Sequence, residues 1–178
     1  MKALQETHEI ILRGGMKRRV AFSAIKQMAV KAEALRFTVE GEPVSLFLGA
    51  DRAGKWAKAI ENPPTVAKKL GISQGTPARV VGGLLDEALE EALRESDRVK
   101  IGGDLLVACV ESSEALRKAL KAAAKGAAPI WIVYRKGPGQ AVNETAVRAA
   151  GLAAGLVDTK VAAVSAVFTA MRFNHRRS

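Results

Sequence analysis

Residues 104–136 read DLLVACVESSEALRKALKAAAKGAAPIWIVYRK, an apolar run, an amphipathic stretch and a second apolar run. Both apolar runs lack the alternation of a strand with one wet face, so they fit strands buried on both sides. Between them, Ser112 or Ser113 supplies an N-cap, Glu114 complements the helix start, Lys121 and Lys125 complement its end, and Gly126 stops it. A helical crossover of this length lets the flanking strands lie parallel in one sheet. The stretch is therefore a βαβ unit, and it predicts an α/β architecture.

Toward the C-terminus, Asn143 is placed to cap another helix, whose Ala146, Ala150, Gly151 and Ala154 allow close packing on the sheet, and Gly155 ends it. Lys160 to Ala166 and Val167 to Phe173 follow one another with little between them. They predict an antiparallel pair closing an otherwise parallel sheet, with Asn174 to Ser178 frayed beyond it. Toward the N-terminus, Arg79 to Gly83 reads as a short strand ending in paired glycines that allow close strand-to-helix contact. Leu84 to Glu95 reads as an amphipathic helix and Arg98 to Ile101 as another short strand. Thr65 caps a short helix that Gly71 stops. Asn62-Pro63-Pro64 stiffens the connection before it and sets a domain boundary, with residues 1–62 on one side and 63–178 on the other.

Residues 1–62 predict a small antiparallel α+β module. Glu9 to Leu12 and Lys17 to Phe22 form one hairpin, Ser23 to Ala32 a short helix, and Leu35 to Val39 with Val44 to Leu48 a second hairpin across Gly41-Glu42-Pro43. The helix Asp51 to Glu61 gathers Ala53, Trp56, Ala57 and Ile60 on one face. A small sheet with one apolar face predicts self-association as a homo-oligomer.

With 178 residues and 48% hydrophobic content the chain can build a real core. It holds no run of eighteen apolar residues, and MKALQETHEI lacks the apolar segment of a secretory signal. A cytoplasmic protein with no membrane partner is expected. The single Cys109, inside an apolar run, excludes an internal disulfide and a cysteine-rich metal cluster.

The net charge of +10 raises nucleic acid as a partner. Residues 1–70 carry a surplus of 6 positive charges and residues 71–178 a surplus of 4, so neither half is a basic tail. The dense groups are Lys17, Arg18 and Arg19 near one end and Arg172, Arg176 and Arg177 near the other. No helix-turn-helix, finger or RNA-binding signature accompanies them.

A ligand on an open α/β sheet lies at the carboxyl ends of the strands. Those ends offer Gly82 and Gly83, then Glu111, Ser112 and Ser113, then Arg135 and Lys136 with the Gly137-Pro138-Gly139 loop. Two cations, hydroxyls and helix N-termini suit a small anionic molecule. Against a dinucleotide, only two adjacent glycines stand where three spaced ones are needed, and Asp86 and Glu87 would repel an anion. No catalytic constellation or metal set is present. His8 and His175 have no partnering residues at useful spacing and read as surface residues, and no cofactor is named by the residues alone.

From about Pro63 to Arg177, PPTVAKKLGI with GTPARVV, DLLVACVES, PIWIVYRKG and AAGLAAGLVDTKVAAVSAVFTAMRFNHRR resemble a bacterial family defined only as a domain of unknown function, with methyltransferase-like members. The resemblance implies a Rossmann-like sheet similar to that of S-adenosylmethionine-dependent methyltransferases, its terminal strand pair being Lys160 to Phe173. It implies no catalytic residues. Compared with a working methyltransferase, the glycine loop after Val81 is short and no acidic residue follows the second strand for a ribose. These departures point to a non-catalytic binding or interaction module on a degenerate scaffold. An enzyme using an adenosyl or nucleotide ligand is the second reading, and nucleic-acid binding through the basic residues the third.

Overall fold

The computed structural model describes residues 2–6, 9–14, 17–83 and 86–176. The chain divides into two units, Met1–Pro64 and Thr65–Ser178.

In the second unit the apolar run of residue 104 onward forms β9 (Leu105–Cys109), buried throughout, and the second run forms β10 (Ile130–Arg135), buried up to Arg135. They pair in parallel, joined by α4 (Ser113–Ala123), whose N-cap Ser112 accepts from the Ala115 amide at 3.1 Å. Before them come α2 (Val66–Leu70), β7 (Pro77–Val81), α3 (Glu87–Arg94) and β8 (Asp97–Arg98); after them come α5 (Glu144–Ala153), β11 (Leu156–Ala163) and β12 (Phe168–His175). The sheet runs β11-β12-β10-β9-β7-β8. β8, β7, β9 and β10 are mutually parallel, while β12 is antiparallel to both β10 and β11. This is the wound, mostly parallel sheet with an antiparallel C-terminal pair that the sequence predicts.

Side-chain alternation divides the core in two. Leu105, Val107, Trp131 and Val133 pack with Leu70, Leu89 and Leu93 of α2 and α3. Leu106, Ala108, Ile132 and Tyr134 pack with Leu116, Leu120 and Val147 of α4 and α5. The fully buried Trp131 donates its indole N–H to the Leu70 carbonyl at 2.9 Å, which ties the end of α2 to the central strand. Gly151 faces the ring of Phe173 so closely that a Cβ there would come within 2.1 Å of a ring carbon.

The first unit holds two three-stranded antiparallel sheets. One is β1 (Lys2–Gln5), β2 (Glu9–Arg13) and β3 (Arg18–Ala21); the other is β4 (Ile25–Lys31), β5 (Ala34–Val39) and β6 (Glu42–Phe47). With α1 (Ala50–Glu61) they enclose Ile10, Leu12, Val20, Leu35, Phe37, Leu46, Ala53 and Ile60.

Several elements depart from the sequence reading. Ser23 to Ala32 is not a helix: a 3-10 turn at Phe22–Ala24 leads into β4, which pairs with β5. Ladder pairing outweighs a weak helical tendency here, and the turn at Ala32 and Glu33 has both residues at positive φ, as a two-residue hairpin requires. The next hairpin turns at Glu40 and Gly41, both also at positive φ, one residue earlier than expected. The predicted strand at Arg98 to Ile101 is instead the two-residue β8, and Asn174 and His175 belong to β12 instead of fraying. α3 starts at Glu87 because Asp86 caps it, accepting from the Leu89 amide at 3.1 Å. Leu84 and Leu85 lie outside the described residues, as does His8.

Replacing Gly151 with Ala sets about 1 kcal/mol of gained helix propensity against overpacking on a ring that is fully buried and has no room to yield. Overpacking costs about 1–3 kcal/mol and more when nothing can shift. A net loss of about 2 kcal/mol in urea unfolding is expected.

Candidate functional site

The order of strands reverses between β7 and β9, and their carboxyl ends carry Gly82 and Val110 to Ser113. Gly82 has φ +85°, and a Cβ at either Gly82 or Gly83 would meet nothing within 4 Å. The first glycine is thus there for its backbone conformation, and the expected close strand-to-helix contact is not found among the described residues. Ser112 is spent on capping α4.

Two strands further along, at the carboxyl end of β10, a cavity of about 370 Å³ is lined by Tyr134, Arg135, Lys136, Gly137, Asn143, Glu144, Thr145 and Thr169. Of the strand-end residues singled out in the sequence, Arg135 and Lys136, with Gly137 of the following loop, line it; Gly82, Gly83, Glu111, Ser112 and Ser113 do not. The antiparallel register sets Tyr134 beside Thr169. The loop after β10 returns the chain so that α5 begins there, with Asn143 accepting from the Ala146 amide at 2.9 Å. An α-helix start leaves its first amides without intrahelical acceptors and carries partial positive charge.

The charged side chains are held in place. Arg135 donates to Glu111 at 2.8 Å and lies 5.0 Å from the centre of the Phe168 ring. Lys136 donates to the Ser165 carbonyl at 2.6 Å, and its amide donates to Val167 O at 2.8 Å. Glu144, the acid on the wall, pairs with Arg148 at 3.0 Å, and Arg148 also meets Asp158 at 2.9 Å. Nearby, Lys69 is 8% exposed and donates to Ala163 O at 3.4 Å, while Lys160 donates to Lys69 O at 2.8 Å. Burial, and secondly the charge of Lys136, push the Lys69 ammonium below its ordinary range.

Tyr134 is the residue that sequence reasoning missed. It is 2% exposed, and its hydroxyl has no hydrogen-bond partner among the described residues. The signal was present in the alternation of IWIVYR: if Arg135 lies on the α2 and α3 side, its neighbour Tyr134 must face α5. Burial foremost, then the charge of Glu144, opposed by Arg148, raises its pKa to about 12.

The basic groups read as nucleic-acid contacts lie differently. Arg18 is bound to Glu40 and to Glu42 (2.9 Å), and Arg19 to Glu9 (2.9 Å), leaving Lys17 exposed. Arg172 is in β12, where its Nε is buried with no partner among the described residues; His175, expected at the surface, is half-buried, with its Nε2 likewise enclosed. Arg176 is exposed, and Arg177 lies outside the described residues. Among the described residues no three metal-ligating side chains gather, and no helix is long and apolar enough to cross a membrane.

The chain matches no family model and no curated protein. Among solved structures it is similar to a TehB-like SAM-dependent methyltransferase from Corynebacterium glutamicum, at 13% identity and TM-score 0.41, over 71% of this chain and 97% of that one. It is also similar to the fibrillarin pre-rRNA processing protein of Methanococcus jannaschii, at 10% identity and TM-score 0.38, over 98% of each chain. A third is a mutant of MtNAS in complex with S-adenosylmethionine, at 10% identity and TM-score 0.40, over 71% of this chain and 68% of that one. Likenesses of this strength carry no functional weight, and the fold rests on its own strand order.

An adenosyl ligand at the reversal point would need a carboxylate at the carboxyl end of β8 to hold its ribose. β8 ends at Arg98 and is followed by Val99, Lys100 and Ile101, while Asp97 starts the strand and has its carboxylate near Gly75, before β7. These residues do not fit that group.

The chain has a single tyrosine, so ultraviolet titration of tyrosinate reads Tyr134 alone. The folded pKa lies above the ordinary value, so the native state holds the proton more tightly than the unfolded chain. That contribution to stability is complete below pH 10 and lost as pH rises through about 12. Absorbance should therefore stay flat through pH 10 and rise near 12; a midpoint at 10 in the folded protein would show the hydroxyl to be solvated.

Proposed function

We propose that the second unit is a binding module for a small anionic molecule, held at the carboxyl end of β10, and that it does so without catalysing a reaction. Tyr134, which lines the cavity and whose hydroxyl is buried without a partner among the described residues, carries this reading. Leaving a buried hydroxyl unsatisfied costs about 1–3 kcal/mol, and an oxygen of a bound anion would supply the missing acceptor. The rest of the wall agrees: Arg135 and Lys136 are positive, the start of α5 presents amides, and Glu144 is neutralised by Arg148. The volume of about 370 Å³ suits a small metabolite. The membership in a bacterial domain-of-unknown-function family that residues 63–177 suggest, and a cytoplasmic location, belong with this proposal.

A thermal-shift panel of phosphate, carboxylates, nucleoside monophosphates and S-adenosylmethionine tests it. A true ligand at a hundred times its Kd stabilises by about 2.7 kcal/mol. At least one anion should raise the melting temperature of the wild type, and Lys136→Met should abolish the rise. Tyr134→Phe should weaken it about tenfold while leaving the unliganded protein as stable as before or more so. No shift by any anion, or a shift that survives both substitutions, refutes the site. Stabilisation by S-adenosylmethionine alone, indifferent to Lys136, would favour the enzyme reading at β7 instead.

A further inference from the structure

The first unit carries a surface that none of the foregoing uses. In an antiparallel sheet, paired residues point to the same side. Leu35 with Leu46, Phe37 with Val44, and Val39 with Ile25 form the core side of the β4-β5-β6 sheet, packed on α1 and the other sheet. The opposite side shows three rows in register. Lys31, Ala34 and Phe47 make the first; Ala29, Arg36 and Ser45 the second; Lys26, Thr38 and Pro43 the third.

Three features of this side matter. It bears three exposed cations, Lys26, Lys31 and Arg36, and no acid within the rows. None of the three cations has an ion pair among the described residues. At the margin, Glu40 and Glu42 are occupied by Arg18, and Glu33 sits in the turn beyond the first row. Phe47 is 79% exposed although it ends a strand whose other large residue, Leu46, is 3% exposed. The remaining positions are short side chains, of which Ala34 is fully buried and Ala29 and Thr38 half-buried, and β4 bulges between Lys26 and Ala29.

We infer that this face of the first unit binds single-stranded nucleic acid, with a base stacked on Phe47 and phosphates following Lys31, Arg36 and Lys26 across the sheet. Successive rows stand about 7 Å apart, comparable with the phosphate spacing of an extended single strand. Stacking on an exposed ring beside a row of cations is how sequence-tolerant single-strand binders work. A duplex hides its base faces and would gain nothing from Phe47. The site differs from the basic clusters noted in the sequence, whose Arg18 and Arg19 are already paired with carboxylates. It is also independent of the anion cavity in the second unit.

Fluorescence anisotropy of labelled oligothymidylate and oligouridylate with the full chain tests it. Binding should weaken with salt, the logarithmic slope being about 0.7 per phosphate neutralised. Phe47→Ala should weaken binding by roughly 5- to 150-fold with the salt slope unchanged. Arg36→Gln and Lys26→Gln should each reduce the slope by about 0.7. All three side chains are exposed, so melting temperatures should match the wild type. The inference is overturned if neither oligonucleotide binds at low salt, if the three substitutions leave binding unchanged, or if duplex competes equally. Binding of polyglutamate with the same dependence on Arg36 and Lys26, and no oligonucleotide binding, would assign the face to an acidic protein segment. A dimer in light scattering that Phe47→Ala dissolves would assign it to a second copy of the chain.

Discussion

Neither face of β9 or β10 meets water between Leu105 and Tyr134, and the second unit is built around that exclusion. Two strands buried on both sides need helices above and below, which the crossover connections supply in turn. The same exclusion forces every polar group on these strands to find a partner or move to a strand end. Trp131 satisfies its indole N–H on the Leu70 carbonyl and so fixes α2. Arg135 emerges at the end of β10 and reaches Glu111. Tyr134 does neither. Its hydroxyl stays inside without an acceptor among the described residues, and for that reason it outweighs the more conspicuous charges beside it as evidence for a ligand.

Much of the second unit could be read from residue order because local signals and burial agree there. The unbroken apolar runs, the caps Ser112, Asn143 and Thr65, and the stops at Gly71 and Gly155 each do in the structure what their chemistry predicts. Gly151 also packs as its small size suggests. Legibility failed where pairing decided the conformation. Nothing local in Ser23 to Ala32 announces a strand; β4 exists because β5 lies beside it. Likewise β1 and the two residues of β8 are strands only by virtue of their neighbours. For the candidate site, the sequence located the cations and missed the hydroxyls. Tyr134 and Thr169 meet through an antiparallel register that no single segment reveals.

That register also explains why the cavity lies away from the reversal point between β7 and β9. At the reversal, β8 is followed by Val99, Lys100 and Ile101, with no acidic residue just past its end. At β10, the inserted β12 brings Thr169 alongside Tyr134, and the turn between β11 and β12 takes up Lys69 and Lys136 through the carbonyls of Ala163 and Ser165. Lys136 thus shapes one rim of the cavity while the start of α5 forms another. An antiparallel strand that merely closed the sheet would need neither.

The surplus of positive charge acquires meaning only through its placement. Arg94, Arg135 and Arg148 pair with carboxylates within the second unit, and Arg18 and Arg19 do so within the first. Exposed pairs of this kind add little stability, yet they cancel the field that an anionic partner would feel. Lys69 and Lys160 are turned onto backbone carbonyls. Lys26, Lys31 and Arg36 are different: they share one sheet face with no acid in register. Three like charges on rows about 7 Å apart produce a field that reaches about a Debye length, near 8 Å at physiological salt. Were these residues there only for solubility, interspersed acids would serve as well and would relieve their mutual repulsion. The absence of acids from those rows, together with a phenyl ring held in water at their end, is what separates a binding face from an ordinary solvated one.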